Sequence, residues 1–389
     1  MNCPFVVNIS CRPHHPFPYF TKIRTDHNHN LDINPIFLAK WQPEFTEELE
    51  KIALIGRSTS TQAKAMLENR FPEHPYFNDR KVSNIMQQAR TDHIEEVTKH
   101  GGEIAMLVND LESKRRREGW DYAQYMNPET QTLSRLWWID PDQQILLKKY
   151  GSVLLLDVSE GRNIYDYYLT TFVIIDGENR LFIVAYCVHE KQDTETFAWT
   201  FRHMDLHLPQ GDVPRWTKFE VLFSDRDEAM ANAARQVWDN SVFHGICLWH
   251  LQRNIDQRLA NWLPNYADFK KEFWNVYMAP SPRFFHVTWH RFMTMLSQHD
   301  SARRYMENEI YPDRERWAWA WIGSRFMAGI RTTGRVEVQH NVYKQLGIGR
   351  WTTLSDLFEE LHKRSQKQQL DAEYKFQLVL INLSPLSFP

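Results

Sequence analysis

The sequence predicts an α/β protein built on a mixed sheet, and three observations carry that reading. Three apolar, β-rich runs, Val153–Leu156, Leu169–Ile175 and Leu181–Val188, follow one another, the last two joined by Asp176-Gly177-Glu178-Asn179 as in a hairpin. A helical pattern from Glu195 to about Leu206, a strand Phe219–Phe223, a helix opening near Asp227 and a short strand Val242–Ile246 come next. Antiparallel strands therefore give way to α/β crossovers in the order β-β-β-α-β-α-β. Residues 251–330 then read as almost wholly helical and Trp-rich, the pattern of a helical insertion.

The flanking segments divide in order along the chain. Residues 1–35 hold two short strands, Phe5–Ile9 and Tyr19–Ile23, a small β piece rather than a full domain. Residues 36–148 form a helical region: Phe45, Leu49, Ile52 and Ala53 share one helix face, Thr61 leads a second helix, and Val82, Ile85 and Met86 mark a third, as in a helix-turn-helix-like bundle. Later in that region come a basic run, Lys114-Arg115-Arg116-Arg117, and a strand-like stretch, Leu133–Ile139. The sheet domain with its insertion occupies 149–350, and helix is expected from about Arg335 to Leu346. A C-terminal helix from Leu354 to about Phe376 and a fraying tail complete 351–389.

The 389 residues carry a formal charge of −3, so any grip on a polyanion has to come from local basic patches. With 42% hydrophobic residues and 24% charged, the composition is that of a folded protein, not of a disordered chain. Four cysteines, Cys3, Cys11, Cys187 and Cys247, are too scattered for a disulfide framework, so reduced thiols are expected. No run of about eighteen apolar residues occurs and no signal-peptide pattern opens the chain, so an intracellular protein without a membrane span is expected.

Two carboxylates stand out by position. Asp157 ends the uninterrupted run Val153-Leu154-Leu155-Leu156, and Asp225 follows the fourth strand in Phe223-Ser224-Asp225-Arg226-Asp227. If the first and fourth strands are neighbours, the acids lie side by side and repel one another unless a divalent cation sits between them. An aspartate after a strand is more often a turn residue or helix cap, and Asp227, directly before Glu228-Ala229-Met230, suits that cap role. Glu337, near the start of the helix that follows the insertion, is the candidate third acid.

These landmarks resemble the catalytic region of Mutator-like (MULE) transposases. The resemblance rests on Tyr150-Gly151, Leu154-Leu155-Leu156-Asp157, the hairpin, Glu195-Thr196-Phe197-Ala198-Trp199, Ser224-Asp225-Arg226-Asp227-Glu228-Ala229-Met230 and Cys247-Leu248-Trp249-His250, and it extends to the segment from Phe45 to Tyr150. It implies an RNase H-like fold in which Asp157, Asp225 and Glu337 bind two Mg²⁺ or Mn²⁺ ions for cleavage and strand transfer of DNA. It further implies DNA at transposon ends and target as partner, a homo-oligomer on that DNA, and the nucleus as location. Cys247 and His250 form the family's Cys-x2-His element, expected to pack and to steady the strand-to-helix junction.

The chain departs from the family after its first acid. Where the family continues Thr-Thr-Tyr-Lys-Thr-Asn, this chain reads Val158-Ser159-Glu160-Gly161-Arg162-Asn163, and the extra acid counts against catalysis. The alternative is a domesticated or catalytically decayed DNA-binding protein acting in transcription. Near the N-terminus, Cys3 with His27 and His29 resembles part of a WRKY/GCM-like module, which implies zinc or, with its other cysteine lacking, a truncated remnant. Against the family, both ends read as abbreviated. Lys114, Arg115, Arg116 and Arg117 are the candidate phosphate contacts, with a solvated helix face as the plainer reading.

Overall fold

The computed structural model describes residues 6–10, 19–26, 40–54, 58–74, 76–99, 102–209, 211, 213–214, 217–239, 241–327, 343 and 348–383. The chain divides into two compact units, Met1–Thr91 and Asp92–Pro389.

In the first unit, β1 (Val6–Ser10) and β2 (Tyr19–Arg24) pair antiparallel, with a bulge after Asn8. Three helices follow: α1 (Pro43–Leu54), α2 (Ser60–Arg70) and α3 (Asp79–Lys99), the last running past the division between units. Phe45, Leu49, Leu67, Phe77, Val82 and Met86 meet in one core, as the helical spacing of their apolar residues requires. Thr59 starts α2 with a reciprocal capping box to Gln62, which satisfies orphan backbone donors at the helix start. Arg90 pins the bundle by donating to the carbonyls of Ala53 and Ser58.

The second unit is built on a seven-stranded sheet. Helix α4 (Glu103–Glu118) precedes the hairpin of β3 (Asp121–Met126) and β4 (Leu133–Ile139), and α5 (Pro141–Tyr150) leads into the central strands. These are β5 (Val153–Ser159), β6 (Tyr168–Ile175) and β7 (Leu181–His189), followed by α6 (Thr194–Asp205), β8 (Val221–Ser224), α7 (Glu228–Trp238) and β9 (Phe243–Ile246). The spatial order is β3-β4-β7-β6-β5-β8-β9; β5, β8 and β9 run parallel, and all other neighbours are antiparallel. This is the expected β-β-β-α-β-α-β arrangement, and it is compatible with an RNase H-like fold.

One difference from the sequence reading concerns the domain edge. The boundary expected at residues 148–149 falls inside the second unit, because β4 pairs with β7 and brings β3 with it. All seven residues of β4 are buried, so a strand with apolar side chains on both faces gains most by joining the sheet.

Alternation along β5 separates two layers. Val153 and Leu155 face α4 and the long C-terminal helix α14 (Leu354–Leu383), whereas Leu154 and Leu156 face α6 and α7. Between β9 and α14 lies the helical insertion: α8 (Leu248–Leu259), α9 (Tyr266–Tyr277), α10 (Pro282–Met295), α11 (Asp300–Tyr305), a π-helical turn (Met306–Ile310), α12 (Arg314–Trp317) and α13 (Trp319–Ile322). It has its own aromatic core around Phe269, Phe273, Phe285, Phe292 and Trp317. Two ties fasten it to the sheet: Arg226 to Asp313 at 2.7 Å, and Arg316 to the carbonyl of His244 at 3.1 Å. Among the described residues no helix is long and apolar enough to cross a membrane.

Candidate functional site

Parallel pairing of β5 with β8 sets Val153 opposite Val221, Leu154 opposite Leu222 and Leu155 opposite Phe223. Two residues further along each chain stand Asp157 and Asp225. The acids thus leave adjacent strands at the same level and the same end, where α/β sheets commonly place their ligands.

The charge around them is unbalanced. Asp157 is 5% exposed, its Oδ1 accepts from the Val158 amide at 3.0 Å, and the His250 Nε2 lies 3.8 Å from the same oxygen. At Asp225, Oδ1 is buried without a hydrogen-bond partner. Burial first, then repulsion from Asp227 and Asp157, pushes the Asp225 carboxyl up to about 7. Asp227 is spent elsewhere: its Oδ1 accepts from the Met230 amide at 2.8 Å and caps α7.

His250 reaches Asp157 because Cys247 ends β9 and starts α8. The buried Cys247 thiol is the helix N-cap, with Sγ accepting from the His250 amide at 3.4 Å. Spacing of Cys and His by two residues therefore serves a single turn, whose cap is the thiol and whose imidazole faces the first acid.

A buried cation, which motif reasoning did not single out, stands on the same side. Arg162 is 8% exposed, its Nε has no hydrogen-bond partner, and its guanidinium carbon lies 6.0 Å from the centre of the Tyr343 ring. The Tyr343 hydroxyl is in turn 3.2 Å from Thr171 Oγ1, and Thr171 is the residue paired with Asp157 across β5 and β6. Burial lowers the basicity of Arg162, while Tyr343 and Asp157 act to raise it. Its loop is held by the neighbouring Asn163, whose side chain accepts from the amides of Tyr165 and Tyr167 and donates to the Tyr167 carbonyl. Gly161 enters this loop at φ +63°, a conformation that favours glycine. A charged residue in a loop carries no sequence signal of burial, so only the packed fold could expose this one.

Glu160 is exposed, with Gln192 donating to it at 3.4 Å. On α4, Lys114, Arg115 and Arg116 each lie near an acid: Asp110 at 3.7 Å, Asp121 at 3.6 Å and Glu112 at 2.7 Å respectively. Arg117 is exposed on the same helix. Glu337, Cys3, His27 and His29 lie outside the described residues. Tyr343, six positions after Glu337, is buried and packs in the core layer of Val153 and Leu155.

Among the described residues no group of three or more His, Cys, Asp or Glu side chains is assembled for a metal. The pair Asp157 and Asp225 nevertheless fits a hard divalent cation, having carboxylate oxygens on adjacent strands and, at Asp225, one buried oxygen without a donor.

Comparison with known proteins bears on this geometry. Residues 153–254 match the MULE transposase domain, a segment that runs from β5 into α8 and contains Asp157, Asp225, Cys247 and His250. Protein FAR1-RELATED SEQUENCE 5 of Arabidopsis thaliana is 22% identical over 317 residues, 80% of this chain and 37% of the relative. Protein FAR1-RELATED SEQUENCE 7 of the same plant is 21% identical over 282 residues, 72% of this chain and 34% of that one. The chain thus spans about a third of the length of these curated relatives. The acids thus lie on neighbouring strands inside the segment that is similar to the MULE transposase domain.

Proposed function

We propose that this chain is a MULE-type transposase that cleaves DNA and transfers its strands with the help of divalent cations. The single observation that carries the proposal is the side-by-side placement of Asp157 and Asp225 at the ends of parallel strands, with the Asp225 carboxyl pushed up to about 7 by burial and then by the neighbouring Asp227 and Asp157. Asp157 and Asp225 would hold Mg²⁺ or Mn²⁺. A bound pair of such ions activates a water or a 3′-hydroxyl and stabilises the leaving oxygen of an in-line displacement at phosphorus.

The protein's own part is positioning. β5 and β8 fix the spacing of the acids, Cys247 caps the turn that presents His250, and the His250 imidazole faces the Asp157 carboxylate. Glu337, six positions before Tyr343 in the sequence, is the third acid of the proposal. DNA as partner, assembly as a homo-oligomer on paired ends and residence in the nucleus follow from the same reading.

Purified protein incubated with supercoiled plasmid and Mg²⁺ or Mn²⁺ tests it. Nicking that disappears in Asp157→Ala and Asp225→Ala is the expected result, and equal nicking by both variants and the parent overturns it.

A second reading has its own support. Arg162 buries a positive charge on the Asp157 side, in the run where this chain departs from the family pattern. That favours a domesticated or catalytically decayed DNA-binding protein acting in transcription. DNA binding without any metal-dependent nicking would select this reading over the first.

A further inference from the structure

We infer that the groove between α8 and α9 is a stacking site for an unpaired nucleotide of a DNA strand, beside the acid pair. This rests on the reading that the chain acts on DNA, and it adds which form of DNA is held and where. Trp249, Arg253 and Asp256 recur at helical spacing and share one side of α8, and Lys270 and Trp274 do the same on α9. Together they line a cavity of about 480 Å³, within the size of ligand pockets.

The groove lies next to the turn that carries His250. His250 Nε2 lies 3.8 Å from Asp157 Oδ1, the Trp249 ring centre is 4.9 Å from that of His250, and the Arg253 guanidinium sits 5.1 Å above the Trp249 ring. A strand whose phosphate meets Asp157 and Asp225 would therefore carry its neighbouring nucleotide along α8.

Its chemistry selects a base with its phosphate. Trp274 is 45% exposed, whereas Trp317 in the core of the same insertion is 1% exposed, so the Trp274 ring is not needed to fill that core. Indole rings at a groove stack any base, because every base has a π-face, while cations along it meet the backbone. Asp256, the carboxylate of the groove, already accepts from Lys270 at 3.1 Å and from the Tyr266 hydroxyl, and Arg253 and Lys270 place a guanidinium and an ammonium along the same groove as the indoles. Bases inside a duplex are stacked on each other and offer no face to a tryptophan, so the groove takes an unpaired or extruded nucleotide.

The test uses the full chain in EDTA, where the metal chemistry of the acids has no influence. Fluorescent oligodeoxynucleotides are compared as a blunt duplex and as the same duplex with a short single-stranded tail. Tighter binding of the tailed form is expected, with quenching of tryptophan emission. Trp274→Ala should weaken tailed binding by roughly 5- to 100-fold and leave blunt binding unchanged. Trp274→Phe, which keeps a ring, should recover most of the loss. Equal affinity of Trp274→Ala and parent for the tailed duplex overturns the groove while leaving DNA action standing. Failure of the parent to bind either DNA overturns both.

Discussion

Two aspartates at strand ends of the same sheet show what separates an acid spent on structure from a candidate functional one. Asp176 follows β6 and has every need met: its oxygens accept from the amides of Glu178 and Arg180 at 3.0 and 2.8 Å and from Arg180 Nε at 2.8 Å. Asp225 follows β8 at the level of Asp157, with a buried oxygen that no donor reaches and two acids nearby. An aspartate after a strand is more often a turn residue, and Asp176 is one. Folding spends the first on the hairpin and leaves the second buried beside two other acids, an arrangement that stability alone does not favour.

The largest effect that would break this contrast is on Asp176. Asp176→Ala should cost about 3–4 kcal/mol in urea unfolding, because it leaves the Glu178 and Arg180 amides without their acceptor and takes from the Arg180 guanidinium one of its two carboxylate partners. An effect under about 1 kcal/mol would erase the distinction. Asp225→Asn should act with the opposite sign. The folded carboxyl titrates near 7 against an ordinary value of 3.8, so between those limits the folded protein holds a proton that the unfolded chain has released. Stability then falls as pH rises through that window, and above about 7 the penalty is complete. Asp225→Asn should recover roughly 2–4 kcal/mol at pH 8 and almost nothing at pH 4. A pH-independent difference between variant and parent would contradict this origin.

Smaller changes sharpen the comparison. Arg162→Thr removes a buried cation from the Asp157 side, and Mn²⁺ should then bind about tenfold more tightly by calorimetry. Unchanged affinity would mean that the charge of Arg162 does not reach the acids. Asp227→Ala should lose only the cap of α7, about 1 kcal/mol by thermal unfolding, with Mn²⁺ affinity little altered.

Local rules carried much of this molecule. The apolar runs of β5 to β7, the hairpin turn at Asp176, the cap at Asp227 and the change from antiparallel strands to crossovers are set by residues close together in the chain, and the structure has them. Asp157 and Asp225 also stood out, because a long apolar run that ends in a carboxylate is visible in one dimension. What surrounds those acids was not visible. The pairing of β5 with β8, the capture of β3 and β4 at the far edge, the turn that aims His250 at Asp157 and the burial of Arg162 all join residues distant in sequence. Such contacts depend on which strands meet and what covers them. A carboxylate's charge is answered or left bare only by neighbours that tertiary packing brings, and so the chemistry at this sheet end was decided by the fold.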